Sequence, residues 1–195
     1  MTTEATPAAA QQLKLAEEEL VRWREKVSQL RRQLPPQQIH DYQLKDESGK
    51  VVTLSSLFGN KEDLIVIHNM GKKCVYCTLW ADGFNGVYEH LENRAGFAVV
   101  SPDEPPVMRD FAVGRNWKFR ILSNAGGAFT REMGFESPKG DPHPGISTFH
   151  RGVDGVIQRI SHAPFGEGDD FCVVWHMIDM LKDGRKGWEP KYSYP

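Results

Sequence analysis

The sequence predicts an α/β fold: a mixed central sheet flanked by helices on both faces, preceded by an N-terminal amphipathic helix. Three observations carry this. Strand-length apolar runs alternate with helix-patterned segments through the middle of the chain, a strand–turn–strand pattern follows, and the last apolar segment is again helical. Alternation requires parallel strands joined by helical crossovers, and the late hairpin adds antiparallel ones.

The elements read in order as follows. Leu13, Ala16, Leu20, Trp23, Val27, Leu30 and Leu34 recur at spacings of three and four, which makes the stretch to about Leu34 an amphipathic helix. Glu18 and Arg22 form a favourable i,i+4 pair on it, and Pro35-Pro36 stops it. Residues 1–36 are thus a helical extension, and 37–195 the sheet domain. The apolar stripe has two readings: it packs on the chain's own domain, or it forms a homodimer arm over Leu13–Leu34. Tyr42 to Leu44 and Val51 to Thr53 flank Asp46-Glu47-Ser48-Gly49, a hairpin turn composition, and a short Leu54 to Phe58 turn follows. Leu64-Ile65-Val66-Ile67-His68 is apolar and β-branched throughout, the pattern of a central strand covered on both faces. Leu79, Phe84, Val87 and Leu91 give a helical face from Cys74 onward, weakened by Gly83 and Gly86. Phe97 to Val100 is the next strand, Pro105 to about Arg115 a helix with prolines in its first turn, and Phe119 to Leu122 a third strand. Ile146 to Phe149 and Val156 to Ile160, joined by Gly152-Val153-Asp154-Gly155, form an antiparallel hairpin. Asp169 or Asp170 caps a last helix with Val173, Val174, Met177, Ile178 and Leu181.

Composition narrows the function. The 195 residues suffice for one domain plus an extension. Lys and Arg number 24 against 26 Asp and Glu, so no basic field recruits nucleic acid or an anionic membrane. No stretch approaches the ~18 apolar residues of a membrane span. The opening Met1 to Pro7 lacks a basic region followed by an apolar one, and a cytoplasmic protein is expected. Three cysteines, two of them in Cys74-Val75-Tyr76-Cys77, do not suit a disulfide-stapled secreted scaffold; they point to redox or metal chemistry.

At a strand–helix junction a C-x-x-C pair places its first thiol beside the free N–H groups and positive end of the helix, which favours thiolate. Lys72 and Lys73 add positive charge nearby. Cys74 is therefore the expected attacking thiol, and Cys77, one turn on and more buried, the resolving one. His68, at the end of the feeding strand, is the candidate proton relay to Cys77. Cys172, inside the last apolar run, reads as core. Trp80 and Trp175 read as core or rim aromatics rather than cofactor stackers, although Trp80, with Lys73, stands close enough to the dithiol in sequence to be an expected substrate contact.

The block Cys-Val-Tyr-Cys-Thr-Leu-Trp-Ala-Asp-Gly-Phe-Asn-Gly beginning at Cys74, followed by His90-Leu91-Glu92, closely resembles a bacterial thioredoxin-like family catalogued as domain of unknown function 899. The resemblance extends over Leu44 to Arg185 and implies a thioredoxin-like fold; the family's own reaction is unsettled. The wider layout is similar to peroxiredoxins, through Ile121-Leu122-Ser123-Asn124 and Ser147-Thr148-Phe149 to Asp154-Gly155. Their signature P-x-x-x-T-x-x-C is missing: Gly71 holds the threonine place and Ile67 the proline place, and Ile146 replaces the arginine expected before the hairpin strand. These departures count against efficient peroxide reduction. Thioredoxins carry a cis-proline facing the dithiol; the equivalent position here reads as Ser147, a third expected substrate contact, with Pro144 three residues too early.

The leading expectation is a thiol-disulfide oxidoreductase acting on a protein or small-molecule thiol or disulfide, recharged by a cellular reductant and needing no bound cofactor. Two other readings stand: a copper or zinc chaperone or sensor using both thiolates and a histidine, and an interaction protein with a vestigial redox site.

Overall fold

A computed structural model describes residues 7–195; the rest of the opening stretch, read above for the absence of a leader, lies outside the described residues. Contacts divide the chain into a first unit ending at Pro36 and a second, Gln37–Pro195.

The first unit is one helix, α1 (Pro7–Gln33), opened by a proline and three alanines and ended by the double proline. None of its residues is buried, and Leu13 and Trp23 are each about 60% exposed. Glu18 pairs with Lys14 at 4.0 Å, one turn before it, in place of the Arg22 partner expected from spacing.

The second unit is built on an eight-stranded sheet. Its strands are β1 (Gln37–Ile39), β2 (Gln43–Lys45), β3 (Val51–Thr53), β4 (Asp63–His68), β5 (Gly96–Ser101), β6 (Arg120–Ser123), β7 (Gly145–Arg151) and β8 (Ile157–Pro164), in the order β1-β8-β7-β4-β5-β6-β2-β3. β4, β5 and β6 are parallel, with Ile65 opposite Phe97 and Val99 opposite Ile121. β7 runs antiparallel to β4, with Ile67 opposite Ile146 and His68 opposite Gly145. The helices are α2 (Val75–Arg94), α3 (Pro105–Gly114), α4 (Phe129–Glu132) and α5 (Val173–Asp179); Leu54–Phe58 is a 3₁₀ turn.

The all-apolar β4 run now divides by parity. Leu64 and Val66 join Tyr42, Leu44, Phe129, Phe135 and Phe149 in one core, covered by the 3₁₀ turn and α4. Ile67, with Ile65 packed beside it, joins Trp80, Phe84, Phe97, Met108 and Trp175 in the other, covered by α2, α3 and α5. The mixed sheet with helical cover on both faces is the expected fold.

Differences are local. β1 and α4 escaped the sequence reading. α2 runs through Gly83 and Gly86 without interruption. The last helix stops at Asp179, short of Leu181, and its N-cap position is held by Cys172. Asp169 acts one turn earlier, where its Oδ1 accepts from Phe171 N at 2.9 Å and Cys172 N at 3.1 Å. No helix among the described residues is long and apolar enough to cross a membrane.

Candidate functional site

β4 delivers the chain to a short loop, residues 69–73, that ends where α2 begins. Cys74 is the N-cap residue of α2: its backbone is extended, and its Sγ accepts from Cys77 N at 3.1 Å, as a serine oxygen would in an ordinary cap. Its carbonyl is fixed by Thr78, whose N and Oγ1 both donate to it at 3.1 Å. Cys74 is partly exposed; Cys77 is 3% exposed and accepts at Sγ from Met70 N at 3.4 Å. The two cysteines approach to 2.7 Å.

This geometry separates the two thiols. A hydrogen bond from the Cys77 side chain, then the backbone N–H groups of Cys77 and Tyr76, outweigh burial and bring Cys74 down to about 7. The same bond, together with burial and the charge on Cys74, drives Cys77 far up. Lys72 and Lys73, expected to contribute, are exposed and take no part in either shift. Only the Lys72 backbone is engaged, its N donating to Asp103 Oδ2 at 2.6 Å. Lys73 therefore lies at the rim of the dithiol, in solvent.

Gly71 explains the missing threonine. Its φ is +94°, and a Cβ built there meets both carboxylate oxygens of Asp103 at 3.1 Å. A β-branched side chain would be strained at this φ and would crowd the Asp103 carboxylate.

His68 is not a relay to Cys77. Its parity puts it on the face opposite α2, stacked on Phe135 at 4.1 Å and Phe129 at 5.4 Å between ring centroids. Burial holds it far below the ordinary imidazole range, and its Nε2 bonds Ser147 Oγ at 2.9 Å. Ser147 is fully buried in β7, opposite Val66, so it presents nothing to a docked substrate. The residue immediately before β7 is Pro144, and no peptide bond among the described residues is cis. Trp80 is a core residue, 4% exposed, with Nε1 donating to Asp169 Oδ1 at 3.3 Å. Cys172 is buried, as expected.

The motif Trp80 to Gly86 is scaffolding. Asp82 accepts from Arg115 Nε and Trp117 Nε1, each at 2.8 Å, and pairs also with Arg115 Nη2. Asn85 donates to Asn116 O at 3.0 Å and accepts from Lys118 N at 2.7 Å. Together they fasten the α3–β6 connection, where Asn116 adopts φ 55°, to the outer side of α2. Arg115 also reaches the C-terminal tail, Nη1 donating to Tyr192 O at 2.8 Å. Burial, then the charges of Cys74 and Cys77, raise the Tyr192 hydroxyl, which places it within electrostatic reach of the dithiol. Nothing in the sequence singled it out, because a lone tyrosine in an unpatterned tail carries no periodicity. Among the described residues no three His, Cys, Asp or Glu side chains are grouped to hold a metal.

The chain matches, over residues 1–194, the family described as "Bacterial protein of unknown function (DUF899)". It belongs to that family. The family's match is longer than the Leu44 to Arg185 read from motifs. A chloroplastic peroxiredoxin Q from Populus jackii is 30% identical over 135 residues, 68% of this chain but only 60% of that protein. Among solved structures, peroxidoxin BcpB from Mycobacterium tuberculosis superposes with a TM-score of 0.54 at 22% identity, covering 66% of this chain and 84% of that one. Reduced Prx3 from Vibrio vulnificus, in complex with hydrogen peroxide, gives 0.54 at 15% identity, covering 72% and 97%. At these identities the structures establish a shared thioredoxin-like, peroxiredoxin-like fold for this DUF899 member.

Proposed function

We propose that this DUF899 protein is a thiol-disulfide oxidoreductase of the Cys74–Cys77 pair. The observation that carries the reading is the cap geometry: a partly exposed thiol, brought to about 7 by the hydrogen bond from the buried Cys77 side chain behind it and then by the backbone N–H groups of Cys77 and Tyr76. The Cys74 thiolate attacks one sulfur of a substrate disulfide, forms a mixed disulfide and expels the other sulfur as thiolate. That step removes the charge and the acceptor that hold Cys77 high. Cys77 then loses its proton to solvent and attacks Cys74 Sγ, releasing the second substrate thiolate and leaving a Cys74–Cys77 disulfide. Two electrons from a cellular dithiol or equivalent reductant restore the pair. Similarity to peroxiredoxin Q supports sulfur redox chemistry, while Gly71 in the threonine place favours a disulfide over peroxide as the oxidant.

The test is turnover of an artificial disulfide with dithiothreitol as reductant. Cys74→Ser should fall to the uncatalysed rate, and Cys77→Ser, exposed to the disulfide without dithiothreitol, should accumulate a mixed disulfide visible by intact mass. Full turnover by Cys74→Ser would remove the proposal.

The apolar stripe Leu13 to Leu34 of α1 supports the dimer arm as part of the same proposal. Deleting residues 1–36 should turn a dimer into a monomer of the shortened chain in sedimentation equilibrium; a shortened chain that sediments as a dimer would count against the arm.

A further inference from the structure

The face of the sheet away from α2 carries a charge without a counter-ion. Arg159, on β8, is 8% exposed. Its Nη2 donates to Met133 O at 2.9 Å, while its Nε is buried with no acceptor. The neighbouring acid, Glu132, is taken up elsewhere: Tyr42 Oη donates to its Oε2 at 2.6 Å, and His40 Nε2 stands 3.6 Å from the same oxygen. No ion pair joins Glu132 to Arg159 among the described residues. A guanidinium withdrawn from water in this way is costly unless an anion meets it, and burial here works against its charged form.

Arg159 opens on a groove of about 420 Å³, whose walls also include Met133, Phe135, His143, His162 and Glu132. Phe135 lies 5.8 Å from the guanidinium carbon and meets the His162 ring edge-on at 6.5 Å. The cleft thus combines one cationic fork, two imidazoles and two apolar walls, the composition of a small-molecule site with a few placed polar groups.

We propose that this groove binds a small organic monoanion, its carboxylate on Arg159 and a compact apolar body against Met133 and Phe135. The planar guanidinium matches a carboxylate's two oxygens better than a point charge would. Glu132 on the same wall repels a dianion and so disfavours phosphate. Phe135 and Met133 give affinity to an apolar body that inorganic anions lack. The site uses none of the dithiol residues.

Isothermal titration of the full chain with sodium benzoate at constant ionic strength tests the proposal. Saturable one-to-one uptake is expected, weakened about 10-fold or more in Arg159→Met, as for loss of a charge-assisted hydrogen bond. Arg159→Lys, which keeps the charge but loses the fork, should also bind more weakly and serves if the methionine variant does not fold. Benzamide, the uncharged isostere, should not compete, and inorganic phosphate should bind less tightly than benzoate. Absence of saturable uptake, unchanged affinity in the folded Arg159 variant, or equal binding of benzamide or phosphate would overturn it.

Discussion

Asp82 and Arg159 are both charges drawn partly or wholly out of water, on the two sides of one sheet, and the protein treats them oppositely. Asp82, on α2, is met by three donors from Arg115 and Trp117. Arg159, on β8, is met by a single backbone carbonyl and keeps an unpartnered Nε. The first arrangement is a rivet, since every group has its partner inside the fold. The second is incomplete without something from outside. Partnering, rather than burial or charge, is what distinguishes scaffold from site here.

The largest effect should come from Asp82→Ala. It strands Arg115 and the Trp117 indole N–H together, and urea titration should show a loss of about 1–3 kcal/mol. Arg159→Met should behave in the opposite sense, leaving stability unchanged or raising it by about 1 kcal/mol, because an unpaired buried charge gives way to packed carbon. Comparable losses in both variants would erase the distinction. The smallest effect concerns charges that are merely nearby. Iodoacetamide labelling of Cys74 should accelerate as pH rises through about 7 and level off above it, since the thiolate is the reactive form. Joint replacement of Lys72 and Lys73 by methionine should leave that inflection in place, because exposed charges are screened by water. A clear upward shift would make surface charge, rather than the cap, the source of the thiolate.

Much of this was legible in the residues. The β-branched run into Cys74-x-x-Cys77 gave the central strand, the following helix and the asymmetry of the thiols, because burial on both faces and cap geometry leave a local signature. The face of His68 was not legible, for the same reason: a run apolar at every position has no alternation from which to read parity. Ser147 was misplaced because the start of β7 depends on its pairing with β4, a tertiary fact. β1 is three residues, Gln37-Gln38-Ile39, paired on one side at the sheet's edge, and α4 is a single turn after two glycines. Elements so short are made by their partners and have too few positions to show a period.

Gly71 bears on the shape of the site. With Asp103 pressed against the place where a side chain would begin, and the backbone turned to φ +94°, a single exchange of Gly71 for threonine lands in a strained loop and a carboxylate. Gaining the hydroxyl of the peroxidase signature there would strain the backbone and require the Asp103 carboxylate to shift by a few tenths of an ångström. The dithiol loop is thus shaped around a residue without a side chain, on a fold shared with peroxiredoxins.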